Sequence, residues 1–240
     1  MFNESEDSIF DDFKTFWESN LAGVQGWLSV REAYCLAQIG LRAEKPIAEI
    51  GAYRGKSSIA LAWGMQQSRM RNPIWSVDPH LMRPPTTSQR VYYGPADLAH
   101  WYFNVGQQQS GLSSLLNKLV LTSEQAAKVV TTPLDAVFID GNHEFEFVMQ
   151  DTQLWGSRVV YSGLIAYHDC RESGVSHAIE KALGLYDLKP VWSVDRLAAY
   201  CKGVVNPKWF MDPKFSTELD SWPPYHGEDH AGDQQDNRLV

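Results

Sequence analysis

The residues best suited to chemistry fall at the ends of short apolar runs. The stretch Asp135 to His143, DAVFIDGNH, closes such a run with Asp140, turns at Gly141 and presents His143 before a helical pattern begins. A second run, Leu164 to Tyr167, ends in His168 and Asp169. A carboxylate or imidazole at the carboxyl end of a buried strand stands where α/β sheets bind ligands. Asp140 and Asp169, ending consecutive strands, would repel unless a proton or cation lies between them. Oxygen donors of this kind suit Mg²⁺, Mn²⁺ or Ca²⁺, and an added imidazole tilts the preference toward transition metals. His168 is either a third ligand or a hydrogen-bonded structural residue on the opposite sheet face from Asp169, since side chains alternate along a strand. His143, neutral at pH 7 with an ordinary pKa near ~6.5, can take a proton from a substrate hydroxyl. The catalytic candidates are thus His143 and Asp140, and the metal candidates Asp140, Asp169 and His168.

A second constellation lies upstream. Glu49-Ile-Gly-Ala-Tyr-Arg-Gly55 reads as a strand running into a glycine turn, where Gly51 and Gly55 let backbone pass close to a ligand and the next helix offers free N–H groups. A dinucleotide site wants G-x-G-x-x-G, and this turn lacks the second glycine that lets a pyrophosphate approach. In place of that pattern it has Glu49, which would repel a pyrophosphate but can accept hydrogen bonds from an amino group. Asp78, ending the following strand, can accept from two ribose hydroxyls or cap the next turn. Glu49, Gly51, Gly55 and Asp78 together suggest S-adenosylmethionine.

The elements that must hold these groups alternate as strand and helix. Strands are expected at Ile47–Ile50, Ile74–Val77, Leu119–Leu121, Leu134–Ile139 and Leu164–Tyr167, with a closing hairpin of Leu188–Val194 and Leu197–Cys201 about Asp195-Arg196. Ser29 and Glu32 form a capping box for a helix ending near Gly40, and Ser57 or Ser58 can cap another. Further helical stripes run through ADLAHWYFNV, from Phe145 to Trp155, and from Val175 to a stop at Gly184. Residues 7–20 place Phe10, Phe13, Phe16 and Trp17 on one face of a short helix, which can dock on the body, cover a site or join an oligomer contact. The weakly patterned segment from Leu81 to Lys118 is long enough to hold a binding loop or lid, and Tyr92, Tyr93, Trp101 and Tyr102 can line a pocket or simply pack. The expected architecture is α/β, a Rossmann-like, doubly wound, seven-stranded sheet, mostly parallel, with an antiparallel closing hairpin and extra N-terminal helices. Residues 1–25 read as a helical extension, 26–203 as one domain, and 204–240 as a partly disordered tail rich in Pro, Asp, His and Gln.

Bulk properties narrow the function. A chain of 240 residues buries a substantial core, and its formal net charge of -8 argues against a general nucleic-acid binder. Three cysteines with no metal-type spacing do not make a disulfide framework. The acidic start, MFNESEDSIFDDF, lacks the basic and apolar blocks of a secretory signal, and no apolar run is long enough to span a bilayer. A cytoplasmic protein without nucleic-acid or membrane partners is expected.

The ordered segments GWLSVREAYCLAQIG, IAEIGAYRGKSSIALA, IWSVDPH, LTSEQAA, LDAVFIDGNHEFEFVMQDTQLW, GLIAYHDC and VWSVDRLAAY, over roughly residues 26–201, resemble class I S-adenosylmethionine-dependent methyltransferases. Within these they are most similar to the small family whose fourth strand ends in I-D-G-x-H and fifth in H-D. The resemblance implies that Glu49 and the turn Gly51, Ala52, Tyr53 and Gly55, with Ser57 after it, hold the methionine part of the cofactor. Asp78 would hold its ribose and Ser123 its adenine end, with Asp140 alongside. Relatives that methylate hydroxyls of sugars, macrolides or catechols use a divalent metal at the Asp140 and Asp169 positions, and some have a histidine at the His143 position that resembles a general base. Metal-binding relatives often carry a second acidic or amide residue beside Asp169, where this chain has His168 and Cys170. The expected activity is O-methylation of a hydroxylated small metabolite, with a divalent cation, Mg²⁺ first and Mn²⁺ or another ion as alternatives, as helper and a homo-oligomer as one assembly. The other readings are a metal-free N- or carboxyl-methyltransferase and a non-catalytic S-adenosylmethionine-binding module.

Overall fold

The computed structural model describes residues 6–81, 94–108, 110–211 and 217–218. Tyr92, Tyr93 and most of the expected binding loop lie outside the described residues, as does most of the C-terminal tail. The chain opens with α1 (Glu6–Phe16), a π-helical turn at Trp17–Leu21, and α2 (Val30–Arg42). It continues through β1 (Ile47–Ile50), α3 (Lys56–Gln67), β2 (Ile74–Val77), α4 (Pro95–Gly106), α5 (Ser110–Ser113), β3 (Leu116–Leu119) and α6 (Ser123–Val129). Then come β4 (Leu134–Ile139), α7 (Phe145–Gly156), β5 (Val159–Tyr167), α8 (Ser173–Leu185), β6 (Leu188–Val194), β7 (Leu197–Lys202), a 3-10 turn at Pro207–Trp209 and a short β8 (Thr217–Glu218).

The sheet order is β3-β2-β1-β4-β5-β7-β6-β8. The first five strands pair in parallel, and β7 runs antiparallel between β5 and β6. This is the expected seven-stranded, mostly parallel sheet with its antiparallel closing hairpin, extended by the pairing of Thr217 and Glu218 with β6. Chain order reverses at β1, so the ends of β1, β2, β4 and β5 open on one edge where a ligand can lie.

Alternation along the strands builds two apolar layers. Ala136 and Phe138 of β4 face the layer of α1, α2 and α3, whereas Val137 and Ile139 face that of α6, α7 and α8. The aromatic face of α1 docks on the body: Phe13 is fully buried and its ring lies 5.1 Å from that of Trp63, while Phe10 meets Tyr34 edge-on at 4.9 Å. Docking on the body is thus seen for this face, while Phe10, Phe16 and Trp17 stay partly exposed. At the other end of the domain, Trp209 is buried and donates its indole N–H to Ser162 O. Among the described residues no helix is long and apolar enough to cross a membrane.

Several elements differ from expectation for physical reasons. Gly40 does not stop α2; a Cβ there would lie 2.1 Å from Leu61 O, and one on Gly64 would lie 1.7 Å from Ala37 O, so the two glycines let α2 and α3 close on each other. The third strand is Leu116–Leu119, in register with Ile74–Val77. As the far edge of the sheet it tolerates Asn117 and Lys118, so the apolar run at 119–121 marked its exit and not its centre. The fifth strand begins at Val159, earlier than Leu164, because an irregular register opposite β4 and a left-handed Ser162 (φ 65°) interrupt the apolar pattern. Helix α3 is capped by Gly55 at φ 90°, which leaves Ser57 and Ser58 in its first turn.

Candidate active site

The glycine turn after β1 is fixed by its neighbours. Gly51 N–H donates to Val77 O at 2.9 Å, and its φ of 95° belongs to a region that L side chains rarely enter. A Cβ on Gly51 would sit 1.9 Å from Asp140 O, so the bare backbone here is what lets the ends of β1 and β4 meet. Asp78 ties the turn to β2: one carboxylate oxygen accepts from Tyr53 N and the other from His80 N, both at 2.8 Å. The turn-capping reading is seen, and it does not exclude ribose binding, since each carboxylate oxygen can accept a second hydrogen bond.

Gly51, Ala52, Tyr53, Ser57 and Asp140 line one cleft, together with a segment, Gln25 to Leu28, that the sequence did not mark. The rings of Trp27 and Tyr53 lie 5.4 Å apart, Lys56 Nζ reaches Gly26 O at 3.4 Å, and Arg54 pairs with both Asp97 and Gln25. Glu49 is not in this lining. It is fully buried and its carboxylate accepts from Ser58 Oγ at 2.5 Å, inside the β1–α3 contact. Burial raises its pKa, against hydrogen bonds from Ser57, Ser58 and Ser76. Ser123, in the first turn of α6, accepts a hydrogen bond from Trp155 Nε1 at 2.8 Å.

The acid and histidine ends of β4 and β5 do converge. One ligand atom from each of Asp140, His143 and Asp169 falls within 4.8 Å of the others. His143 Nε2 lies 3.7 Å from Asp140 Oδ1 and 3.5 Å from Asp169 Oδ2, while its Nδ1 meets Glu172 Oε2 at 3.0 Å. His168 also points into this cluster and not to the opposite face: Nδ1 is 3.2 Å from Asp169 Oδ2 and 3.4 Å from Asp140 Oδ1. The left-handed backbone of Asp169 (φ 48°) breaks the strand alternation and brings both side chains to one side. Behind His168 stands the buried Glu32, 3.4 Å from Nε2. His143 thus completes the ligand-like triad with the two acids, and His168 lies against the same carboxylates beside it.

Electrostatics follow from this crowding. Burial disfavours charge on His143, but Asp140 and Glu172 hydrogen bonds and the Asp140 and Asp169 charges prevail and raise its pKa to about 10. Burial likewise opposes charge on His168, and Asp140, Asp169 and Glu32 together drive it up to about 12. Asp140, pushed up by burial, is held down at about 2 by His168 and His143. The carboxylates that could hold a cation thus also favour the charged form of His143, where the sequence alone points to an ordinary, neutral imidazole. Arg196 Nη1 adds a further positive group 2.7 Å from Asp169 Oδ1, and its Nη2 donates to Trp27 O at 2.7 Å.

A family model described as a methyltransferase domain matches residues 48–170, more than half of the 240. The chain belongs to this methyltransferase family. It is a class I S-adenosylmethionine-dependent domain, and the bare turn at Gly51 beside Asp140 and Asp78 fits that cofactor. Solved structures share the methyltransferase fold at low identity. An O-methyltransferase from Bacillus cereus in complex with S-adenosylhomocysteine aligns with a TM-score of 0.53 and 15% identity, over 84% of this chain and 94% of its own. The O-methyltransferase TomG from Streptomyces achromogenes, involved in tomaymycin synthesis, aligns with a TM-score of 0.56 and 15% identity, over 85% and 93%. Cofactor-bound Rv0187 from MTB aligns with a TM-score of 0.55 and 15% identity, over 84% and 92%. No curated protein matches the methyltransferase by sequence.

Sequence reasoning passed over Glu32, Glu172, Arg196 and Trp27 in this methyltransferase. Arg196 lay in view, in the two-residue turn of VWSVDRLAAY. Glu32 was seen only as a capping residue, a role it also fills by accepting from Ser29 N at 2.8 Å.

Proposed function

We propose that this methyltransferase transfers the S-adenosylmethionine methyl group to a hydroxyl of a small metabolite, at a site built to hold a divalent cation. The observation that carries this reading is the convergence of Asp140, His143 and Asp169 within 4.8 Å of one another, at the sheet edge that also bears the glycine turn. Two carboxylate oxygens and an imidazole nitrogen suit Mg²⁺, Mn²⁺ or a transition metal. Such a cation, when bound, supplies a Lewis acid that lowers the pKa of an acceptor hydroxyl.

The chain's own residues do the rest. Glu172 accepts from His143 Nδ1, which directs the Nε2 lone pair inward once that nitrogen is free of its proton. His168, charged and buried, holds Asp140 and Asp169 side by side without itself leaving the second row. The turn at Gly51 to Gly55 and the carboxylate of Asp78 hold the cofactor, so that its methyl faces the edge where Asp140 lies. The acceptor oxygen, its proton lost to solvent, attacks the methyl carbon in line. The carbon–sulfur bond breaks and S-adenosylhomocysteine leaves. Near-attack placement of the two reactants supplies much of the rate gain.

With its pKa raised to about 10 by the surrounding carboxylates, His143 is a poorer proton acceptor at pH 7 than an ordinary imidazole. The test is methyl transfer from isotope-labelled S-adenosylmethionine to a panel of catechols, sugars and amines, with and without chelator. Chelator-sensitive transfer to hydroxyls, abolished in Asp169→Asn, supports the reading. Chelator-resistant transfer to an amine would replace it with the metal-free alternative.

A further inference from the structure

Beside the triad, on the far side of Arg196, lies an open cavity of about 430 Å³ lined by Arg31, Arg171, Ser193, Val194, Asp195 and Arg196. Three elements meet there: the first turn of α2, the loop after β5 and the turn joining β6 to β7. Three arginines face one aspartate, on a chain whose formal net charge is -8. That aspartate is already engaged, since Asp195 accepts from Ser29 Oγ at 2.6 Å and pairs with Arg31 at 3.4 Å. Arg171 has no carboxylate partner among the described residues. Arg196 is held in place by Asp169 on one side and Trp27 O on the other. The N-terminus of α2 adds its positive dipole end to the same wall.

We propose that this cavity is an anion subsite, and that the methyl acceptor carries a phosphate or carboxylate group seated against Arg171 and Arg31. The inference rests on the O-methyltransfer reading above and gives its acceptor a class. Guanidinium groups bind both anions through paired N–H donors in a planar fork. Arg196 bridges the two places: one face touches the Asp169 that holds the reacting end, the other lines the anion cavity. An acceptor that spans Arg196 would carry its anionic group and its methylated hydroxyl on one molecule. A neutral acceptor of the same skeleton forgoes the arginine contacts.

Two measurements on the full chain test this. Inorganic phosphate and acetate are titrated calorimetrically against the wild type, Arg171→Gln and Arg31→Gln at constant ionic strength. In parallel, kcat/KM is compared within matched sets: glucose, glucuronate and glucose 6-phosphate; catechol and 3,4-dihydroxybenzoate. Saturable binding of phosphate or acetate is expected, weakened about tenfold or more in Arg171→Gln. The anionic member of a set should be preferred at least about tenfold, and Arg171→Gln should reduce that preference. The anion that binds more tightly identifies the source. Absence of saturable binding by either anion overturns the proposal, as does equal use of neutral and anionic acceptors by an active enzyme. Anion binding lost in Arg171→Gln with no hydroxyl methylated supports the subsite and counts against the O-methyltransfer reading alone.

Discussion

His168 Nε2 lies 3.4 Å from Glu32 Oε1, with both side chains only 2% exposed. The contact joins the first turn of α2 to the end of β5 and leaves the other face of the imidazole against Asp140 and Asp169. Burial opposes charge on both partners, yet the charge of His168 lowers the Glu32 pKa and the surrounding carboxylates raise that of His168 to about 12. Removing one member of such a buried pair strands the other. Glu32→Gln, which keeps the shape, should therefore cost about 3 kcal/mol in equilibrium urea unfolding. The pH profile has a definite sign. Glu32 contributes above its ordinary 4.5 and is lost as pH falls through its lowered value. His168 contributes fully below its ordinary 6.5, declining as pH rises toward about 12. The pair thus supports the fold most strongly between about 4.5 and 6.5. A Glu32→Gln variant as stable as the wild type in that window would show that the contact contributes little.

The proton on His143 occupies the nitrogen that a metal ion would need. With its pKa raised to about 10, His143 must release a proton for each cation bound by the triad near pH 7. Mn²⁺ affinity should therefore rise by about tenfold per pH unit up to about pH 10, and calorimetry in buffers of different ionisation enthalpy should count close to one proton released. Asp169→Asn should abolish this binding. Affinity independent of pH would remove His143 from the ligand set.

The parts of this site legible in the sequence are those that depend on short-range pattern. Asp140, Asp78 and the Gly51 turn follow from strand ends and glycine spacing, and the structure puts them at one edge. What the pattern could not show is anything decided by a single backbone torsion or by distant packing. One left-handed residue, Asp169, breaks the strand alternation and carries its own carboxylate to the side that His168 faces, so the two side chains meet. Glu32 and Arg196 are 164 residues apart, and only the fold reveals that Arg196 N–H donates to Glu32 Oε1 at 2.9 Å beside the acid cluster. Gly40 read as a helix stop because a glycine at a helix–helix contact and one at a helix end look alike in a single chain.

Gly51→Ala tests the proximity of the β1 and β4 ends. The added methyl would meet Asp140 O at 1.9 Å, backbone that cannot yield without moving the acid itself, and φ of 95° is strained for any L side chain. The variant should lose about 2 kcal/mol of stability and at least about tenfold in S-adenosylhomocysteine affinity. Thermal unfolding with and without ligand checks both. Wild-type affinity with unchanged stability would mean that the turn is not the cofactor's seat.

Glu49 separates two duties that the turn confuses. Its side chain is fully buried, with Ser58 Oγ donating to Oε2 and Ser57 and Ser76 close enough to favour the carboxylate. Burial raises its pKa, so the folded state holds this proton more tightly than the unfolded chain does. The resulting contribution is most favourable below the ordinary 4.5 and is lost as pH rises through the raised value. Glu49→Gln keeps the acceptor that Ser58 needs and removes the titration. Its stability should match the wild type at acid pH and exceed it increasingly as pH climbs toward neutrality. If Glu49 serves only the β1–α3 packing, S-adenosylhomocysteine affinity stays within about twofold. A loss of about tenfold or more, with stability still improved, would assign the carboxylate to the cofactor's amino group as the sequence implied. Stability curves from pH 4 to 8, paired with ligand titrations of the same samples, decide between them.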